Sequence, residues 1–206
     1  MRFGEIIEST STQFVAESLE LGWPPALGSL VKVGISDESD LYGVVCFSET
    51  ASLDPGRRAV RRSSDEVLDL QVYRENPQLE HVLRTEFTSL CVGVVAGEAV
   101  FQGLSSRPVP LHYSVSGCSP EETTRFTDDL YYFRLLLGGS VLVTAEQLLA
   151  SHVREMYQTR GADEEWLRGA AQEIARLLKQ DYDQLMGILH GIERGTRLRS
   201  RGESRE

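Results

Sequence analysis

Apolar and polar residues alternate in short runs over residues 1–118, and each run ends in a turn signal. A period of two places successive side chains on opposite faces of a sheet, so this half reads as short strands and not as alternating βα units. Phe3 to Glu8 and Gln13 to Leu19 flank Ser9-Thr10-Ser11-Thr12, a polar run suited to a hairpin connection. In Ser29 to Ile35, Val31, Val33 and Ile35 alternate with Lys32 and Gly34 and share one face. Asp37-Glu38-Ser39-Asp40 is an acidic turn without the ligand spacing of a calcium loop. Leu41 to Ser48 then reads as a more buried strand, in which Gly43 admits a bulge. Glu86 to Ala96, rich in Val and Cys, pairs with Ala99 to Gln102 across Gly97-Glu98. Leu111 to Val115 is a last extended segment, and the prolines before it, Pro108 and Pro110, suit an edge.

The interval 49–64 loses this period. It carries the turn signal Asp54-Pro55-Gly56, followed by a basic loop of Arg57, Arg58, Arg61 and Arg62. Asn76-Pro77 opens a short helix from Gln78 to Arg84.

At Ser119 the period changes to that of helices. Ser119-Pro120-Glu121-Glu122 supplies a cap, a first-turn proline and two acids where the helix dipole favours them, and predicts a helix to about Leu137, stopped by Gly138-Gly139. Thr144 and Gln147 have capping-box spacing for a second helix ending near Gly161. Asp163 caps a third and longest one, in which Trp166, Ile174, Leu178, Leu185, Leu189 and Ile192 keep mostly helical spacing and Tyr182 fills the one longer gap. The expected fold is α+β: a small N-terminal β-barrel in residues 1–118, three α-helices in 119–195, and a disordered tail in 196–206.

Composition narrows the function. The chain has 206 residues, 41% hydrophobic and 25% charged, which is ordinary globular usage. Its formal net charge of -10 has the wrong sign for coating nucleic acid or an anionic membrane. The first residues carry no apolar signal segment and no apolar run reaches the length of a membrane span, so the expected location is the cytoplasm. Cys46, Cys91 and Cys118 lie far apart with no C-x-x-C pair, and the histidines have no metal-ligand spacing. Neither Lys32 nor Lys179 sits in a phosphate-cradling glycine loop, and neither a nucleophile elbow nor a dinucleotide fingerprint is present. No catalytic residue, metal or cofactor is therefore assigned.

Three groups of residues are candidates for binding. Trp23, in Gly22-Trp23-Pro24-Pro25, reads either as an exposed partner anchor or as a cap folded over the barrel mouth. The loop of Arg57, Arg58, Arg61 and Arg62 reads as a grip on phosphate or an acidic partner, or as a solvated loop balancing Asp65, Glu66 and Asp69. The apolar face of the third helix, with Trp166, Ile174, Leu178, Leu185, Leu189 and Ile192, packs on the second helix or on another copy in a homo-oligomer. The rival classes are a hydrolase assembled from dispersed residues such as His112, Asp128 and Asp129, and a nucleic-acid-binding accessory protein built on the arginine loop. That loop has no aromatic residue to stack on bases, which disfavours nucleic acid.

Three stretches, Gly4-Glu5-Ile6-Ile7-Glu8-Ser9-Thr10-Ser11-Thr12-Gln13-Phe14, Leu27-Gly28-Ser29-Leu30-Val31-Lys32-Val33 and Leu41-Tyr42-Gly43-Val44-Val45, follow one pattern. It is an opening strand, a polar hairpin, a glycine-led second pair and a return strand. On these residues the N-terminal half resembles the HAS-barrel, the small barrel that precedes the motor in HerA-type ATPases and is related to the N-terminal barrel of rotary ATP synthase subunits. The sequence holds no P-loop, so the resemblance implies the barrel and not the ATPase. It implies a non-catalytic assembly or adaptor protein whose barrel docks a protein partner, a ring ATPase or a DNA-processing complex.

Overall fold

The computed structural model describes residues 1–54, 56–139 and 142–202, with side chains as far as Gly195. Seven strands, β1 (Arg2–Ser9), β2 (Gln13–Ser18), β3 (Leu30–Ser36), β4 (Ser39–Ser52), β5 (Leu83–Ala96), β6 (Ala99–Gln102) and β7 (Ser114–Gly117), pair in the order β2-β1-β7-β3-β4-β5-β6. A further antiparallel pairing of β2 with β5 closes six of them into a barrel, and β6 continues the sheet beside the far half of β5. The polar run Ser9 to Thr12 makes its hairpin through Thr10, whose Oγ1 accepts from the Gln13 N–H at 3.1 Å. The last strand begins later than its pattern suggests and is no edge. His112 takes a left-handed turn (φ 67) and donates its N–H to Ile6 O, so β7 enters between β1 and β3 with the prolines left ahead of it.

Strand alternation builds two cores on one wall. Leu41, Val45, Phe87 and Cys91 point into the barrel with Ile6, Phe14, Val31, Val33 and Val115. Tyr42, Val44, Cys46, Leu90 and Val92, on the other face of β4 and β5, lie beneath the helices. Both strands are therefore buried on both sides over their middle residues.

The helical region is more broken than the pattern predicts. The described residues form six α-helices where three were expected: α1 (Leu70–Glu75), α2 (Pro120–Thr127), α3 (Phe133–Gly138), α4 (Ala145–Thr159), α5 (Glu164–Leu177) and α6 (Tyr182–Gly202). The first lies in the barrel half, and the short helix foreseen after Pro77 is a 3-10 turn, Pro77–His81. The caps predicted at Ser119, Thr144 and Asp163 hold: Ser119 forms a full capping box with Glu122, and the Thr144 and Asp163 side chains accept from Gln147 N and Trp166 N. Asn76, expected to cap the turn after Pro77, makes no side-chain cap bond. The helix expected to reach Leu137 breaks because Gln102, at the end of β6, supplies an alternative set of partners. Its Nε2 donates to Phe126 O and Asp129 O, both at 2.7 Å, and its Oε1 accepts from Tyr132 N at 3.0 Å. The long third helix breaks at the seven-residue gap in its pattern, where the Asp181 side chain caps Gln184 N at 3.0 Å and restarts the chain as α6. α6 carries the backbone past residue 196 to Gly202, and residues 203–206 of the expected tail lie outside the described ones.

Two contacts fix the helices. On α6, Gly187, Gly191 and Gly195 face Glu146, Ala150 and Arg154 of α4 in ascending order, so the two helices run parallel and close. A Cβ at Gly191 would stand 2.9 Å from that of Ala150, and Arg154 uses the space to donate to Gly191 O at 2.7 Å. In the middle of α4, between Ala150 and Arg154 in sequence, His152 is buried between the barrel and α3. Its Nδ1 lies 2.7 Å from Gly28 O, and a carbonyl only accepts, so Nδ1 carries the proton and Nε2 accepts from the Tyr132 hydroxyl at 2.7 Å. Gly28 is left-handed (φ +87), and a Cβ there would meet His152 N at 2.5 Å.

Burial lowers the His152 pKa to about 4, against the opposing pull of its bond to Gly28 O. The folded chain thus excludes a proton that the unfolded chain takes up near pH 6.5. This contribution is complete above pH 6.5 and is lost as pH falls toward 4. Urea unfolding at pH 5 should give a stability about 2 kcal/mol below that at pH 7. His152→Gln, which keeps a donor and an acceptor without the titration, should lose most of that difference; an unchanged slope would show that His152 is not its source.

Candidate functional site

Beyond Glu86, where β2 leaves β5, β4 and β5 continue as a two-stranded ribbon from Thr50 opposite Thr85 to Ser52 opposite Leu83. Its end is closed by Leu53 N–H donating to Val82 O at 2.9 Å. The intervening chain carries the arginine loop, α1 and the 3-10 turn, and it is thinly anchored. None of the residues of α1 is buried, and Leu79 is the buried residue of the turn that follows.

The Gly22-Trp23-Pro24-Pro25 loop faces this excursion. Gly22 N–H donates to Thr85 Oγ1 at 2.7 Å, Thr85 and Thr50 share a 2.8 Å hydrogen bond across the ribbon, and Ser18 Oγ donates to Trp23 O. The backbone is thereby pinned while the Trp23 side chain stands 73% exposed. It does not fold over the barrel mouth. Trp23, Leu70, Tyr73 and Leu83 line a groove of about 770 Å³, and a second of about 370 Å³ adjoins it, lined by Arg57, Arg58, Arg62, Val60, Tyr73 and Leu83. Arg57 pairs with Asp54, and Arg61 donates to Ser63. Among the described residues, none of the four arginines pairs with Asp65, Glu66 or Asp69.

The strand register creates a feature that no local pattern reveals. Glu5 of β1 stands opposite Glu17 of β2, Glu17 opposite Glu86 of β5, and Glu86 opposite Glu49 of β4. Four carboxylates form one row on the barrel's outer face. Burial raises the Glu86 pKa, Arg84 at 2.8 Å pulls it back, and Glu49, Glu17 and Glu8 push it further up.

Other singled-out residues lie elsewhere. Trp166, Ile174, Leu178 and Ile192 are buried in the chain's own helical core, Leu185 packs against it, and Leu189 is half-buried. Ile188, which the pattern did not single out, is fully buried. His112 bonds Glu5 at 2.9 Å, whereas Asp128 pairs with Arg160 at 3.0 Å and Asp129 accepts from Tyr131 N, so the three residues engage different partners. Arg160 also donates to Thr124 O and Thr127 Oγ1, reaches Asp163, and stacks on Trp166, a joint between α2, α4 and α5.

Where α2 meets the barrel, Lys32 bridges Asp40 and Glu122, close to Tyr42 and Cys118. Burial pushes the Tyr42 hydroxyl to about 12 and the Cys118 thiol higher still. The ammonium of Lys32 stays protonated because the two carboxylates outweigh its burial. Hydroxyl, thiol and ammonium all hold their protons at neutral pH, and the Lys32–Glu122 pair clamps α2 to the barrel. Among the described residues no group of His, Cys, Asp and Glu could hold a metal ion, and no helix is long and apolar enough to cross a membrane.

The two tryptophans give a direct check. Trp23→Ala should change stability by no more than about 0.5 kcal/mol, whereas Trp166→Ala should cost about 3–5 kcal/mol. Denaturant unfolding measures both, and a loss above about 2 kcal/mol for Trp23→Ala would show that its ring is packed. No protein-family model matches the chain, and no curated protein matches its sequence.

Proposed function

We propose that this chain is a non-catalytic assembly or adaptor protein whose barrel docks a protein partner through the groove beside Trp23. Trp23 carries the reading: a large aromatic side chain held in the open by a pinned backbone, next to Leu70 and Tyr73 of a helix that buries none of its residues. Aromatic and arginine side chains supply most of the binding free energy in protein interfaces, and here both kinds share one end of the ribbon. Docking would bury that apolar surface without any change in the barrel behind it. The closed antiparallel barrel followed by helices is compatible with the resemblance to the HAS-barrel, and on that resemblance the partner is a ring ATPase.

The test is purification under native conditions with the intact chain and with Trp23→Ala combined with Leu70→Asp, two exposed positions whose replacement should leave the melting temperature in place. A ring ATPase retained by the wild type and lost from the double variant supports the reading. Equal retention by both, or no ATPase with the wild type, overturns it.

A further inference from the structure

The two grooves at the ribbon end carry opposite charge. Glu17, Glu20 and Glu80 line the larger one around Trp23 and Leu70. Arg57, Arg58 and Arg62 line the smaller one around Val60 and Val82. Tyr73 and Leu83 belong to both, so an apolar strip divides an acidic half from a basic half. His81 and Arg84 also line the acidic groove, but Arg84 is held by Glu86, and the row of Glu5, Glu17, Glu86 and Glu49 extends the negative side around the barrel. On the basic side, Arg58 and Arg62 have no ion pair or hydrogen bond among the described residues.

A face laid out as basic, apolar, acidic is complementary to itself under a twofold rotation. Turned about an axis through Tyr73, it places arginines over glutamates twice and the apolar strip over its own copy, which is the arrangement an isologous interface requires. We propose that in the free protein this face is covered by a second copy of the chain, the Arg57–Arg58–Arg62 side of each copy meeting the Glu17–Glu20–Glu80 side of the other. Trp23, Leu70 and Val60, each at least 70% exposed, leave water at the centre of the contact. A foreign partner would equally cover the aromatic strip, but a copy of this chain already carries both signs of charge in the order that complements it. The inference rests on the reading of this face as a docking surface: the protein partner competes with the second copy, and the dimer is the covered form.

The test uses the full chain in analytical ultracentrifugation, with two charge-reversed variants, Arg57→Glu with Arg58→Glu and Glu17→Arg with Glu20→Arg. The wild type should be a dimer at low salt, with a dissociation constant raised about tenfold or more at high salt. Each variant alone should be monomeric, because like charges then meet on both sides of the axis. Mixed in equal amounts, the two should form a heterodimer, since Glu on one loop meets Arg on the other face and the unaltered halves meet as before. A wild type that stays monomeric at high micromolar concentration overturns the proposal, as does a dimer indifferent to both reversals, or two folded variants that fail to associate when mixed. A monomeric wild type that still retains a ring ATPase through Trp23 removes the dimer alone and leaves the docking surface standing.

Discussion

Tyr42 and Val45 stand three residues apart on β4, one stacked on Phe126 beneath the helices and the other inside the barrel, and both are fully buried. That double burial of β4 and β5 is the constraint from which the rest of the architecture follows. A closed barrel needs only its inner face apolar, yet here the outer face carries Tyr42, Val44, Cys46, Leu90 and Val92. Burying side chains of this size contributes about 2 kcal/mol each, so stripping the helices away would cost on the order of 10 kcal/mol. That is comparable with the whole stability of an ordinary domain. Polar joints fix where the helices sit: Gly28 with His152, Lys32 with Glu122, and Gln102 with the turn after α2.

The same wall explains why the other end of the strands is open. The ribbon runs past the barrel and past the helices, so Leu53 to Val82 has little to pack against beyond Leu79. Surface that cannot be buried within the chain remains as Trp23, Leu70, Tyr73 and Val60, and the arginines of this excursion find few internal partners. In the well-packed part, burial holds the titratable groups His152, Tyr132, Cys118 and Tyr42 in their neutral forms.

Strand alternation in Val31, Val33 and Ile35, the polar hairpin at Thr10 and the caps at Ser119, Thr144 and Asp163 were legible because each is a local signal acting over a few residues. The helix breaks were not, because a side chain from a distant strand, Gln102, decides the first of them. The second had a local trace, the gap between Leu178 and Leu185 with Asp181 inside it, which reads as a cap once the helix is allowed to end. The four-residue spacing of Gly187, Gly191 and Gly195 is likewise visible in the sequence and marks the close approach of α4. Trp23 and the arginines could be singled out by type, but their shared location depends on the tertiary path of the ribbon. The glutamate row is invisible in principle, since Glu5, Glu17, Glu49 and Glu86 become neighbours only through strand register.

If one wall serves both cores, the barrel and the helices cannot unfold independently. Differential scanning calorimetry of the full chain tests this most directly. The account predicts a single transition whose calorimetric enthalpy equals its van't Hoff enthalpy. Two resolved transitions, with the helices melting while the near-ultraviolet signal of the barrel persists, would contradict it.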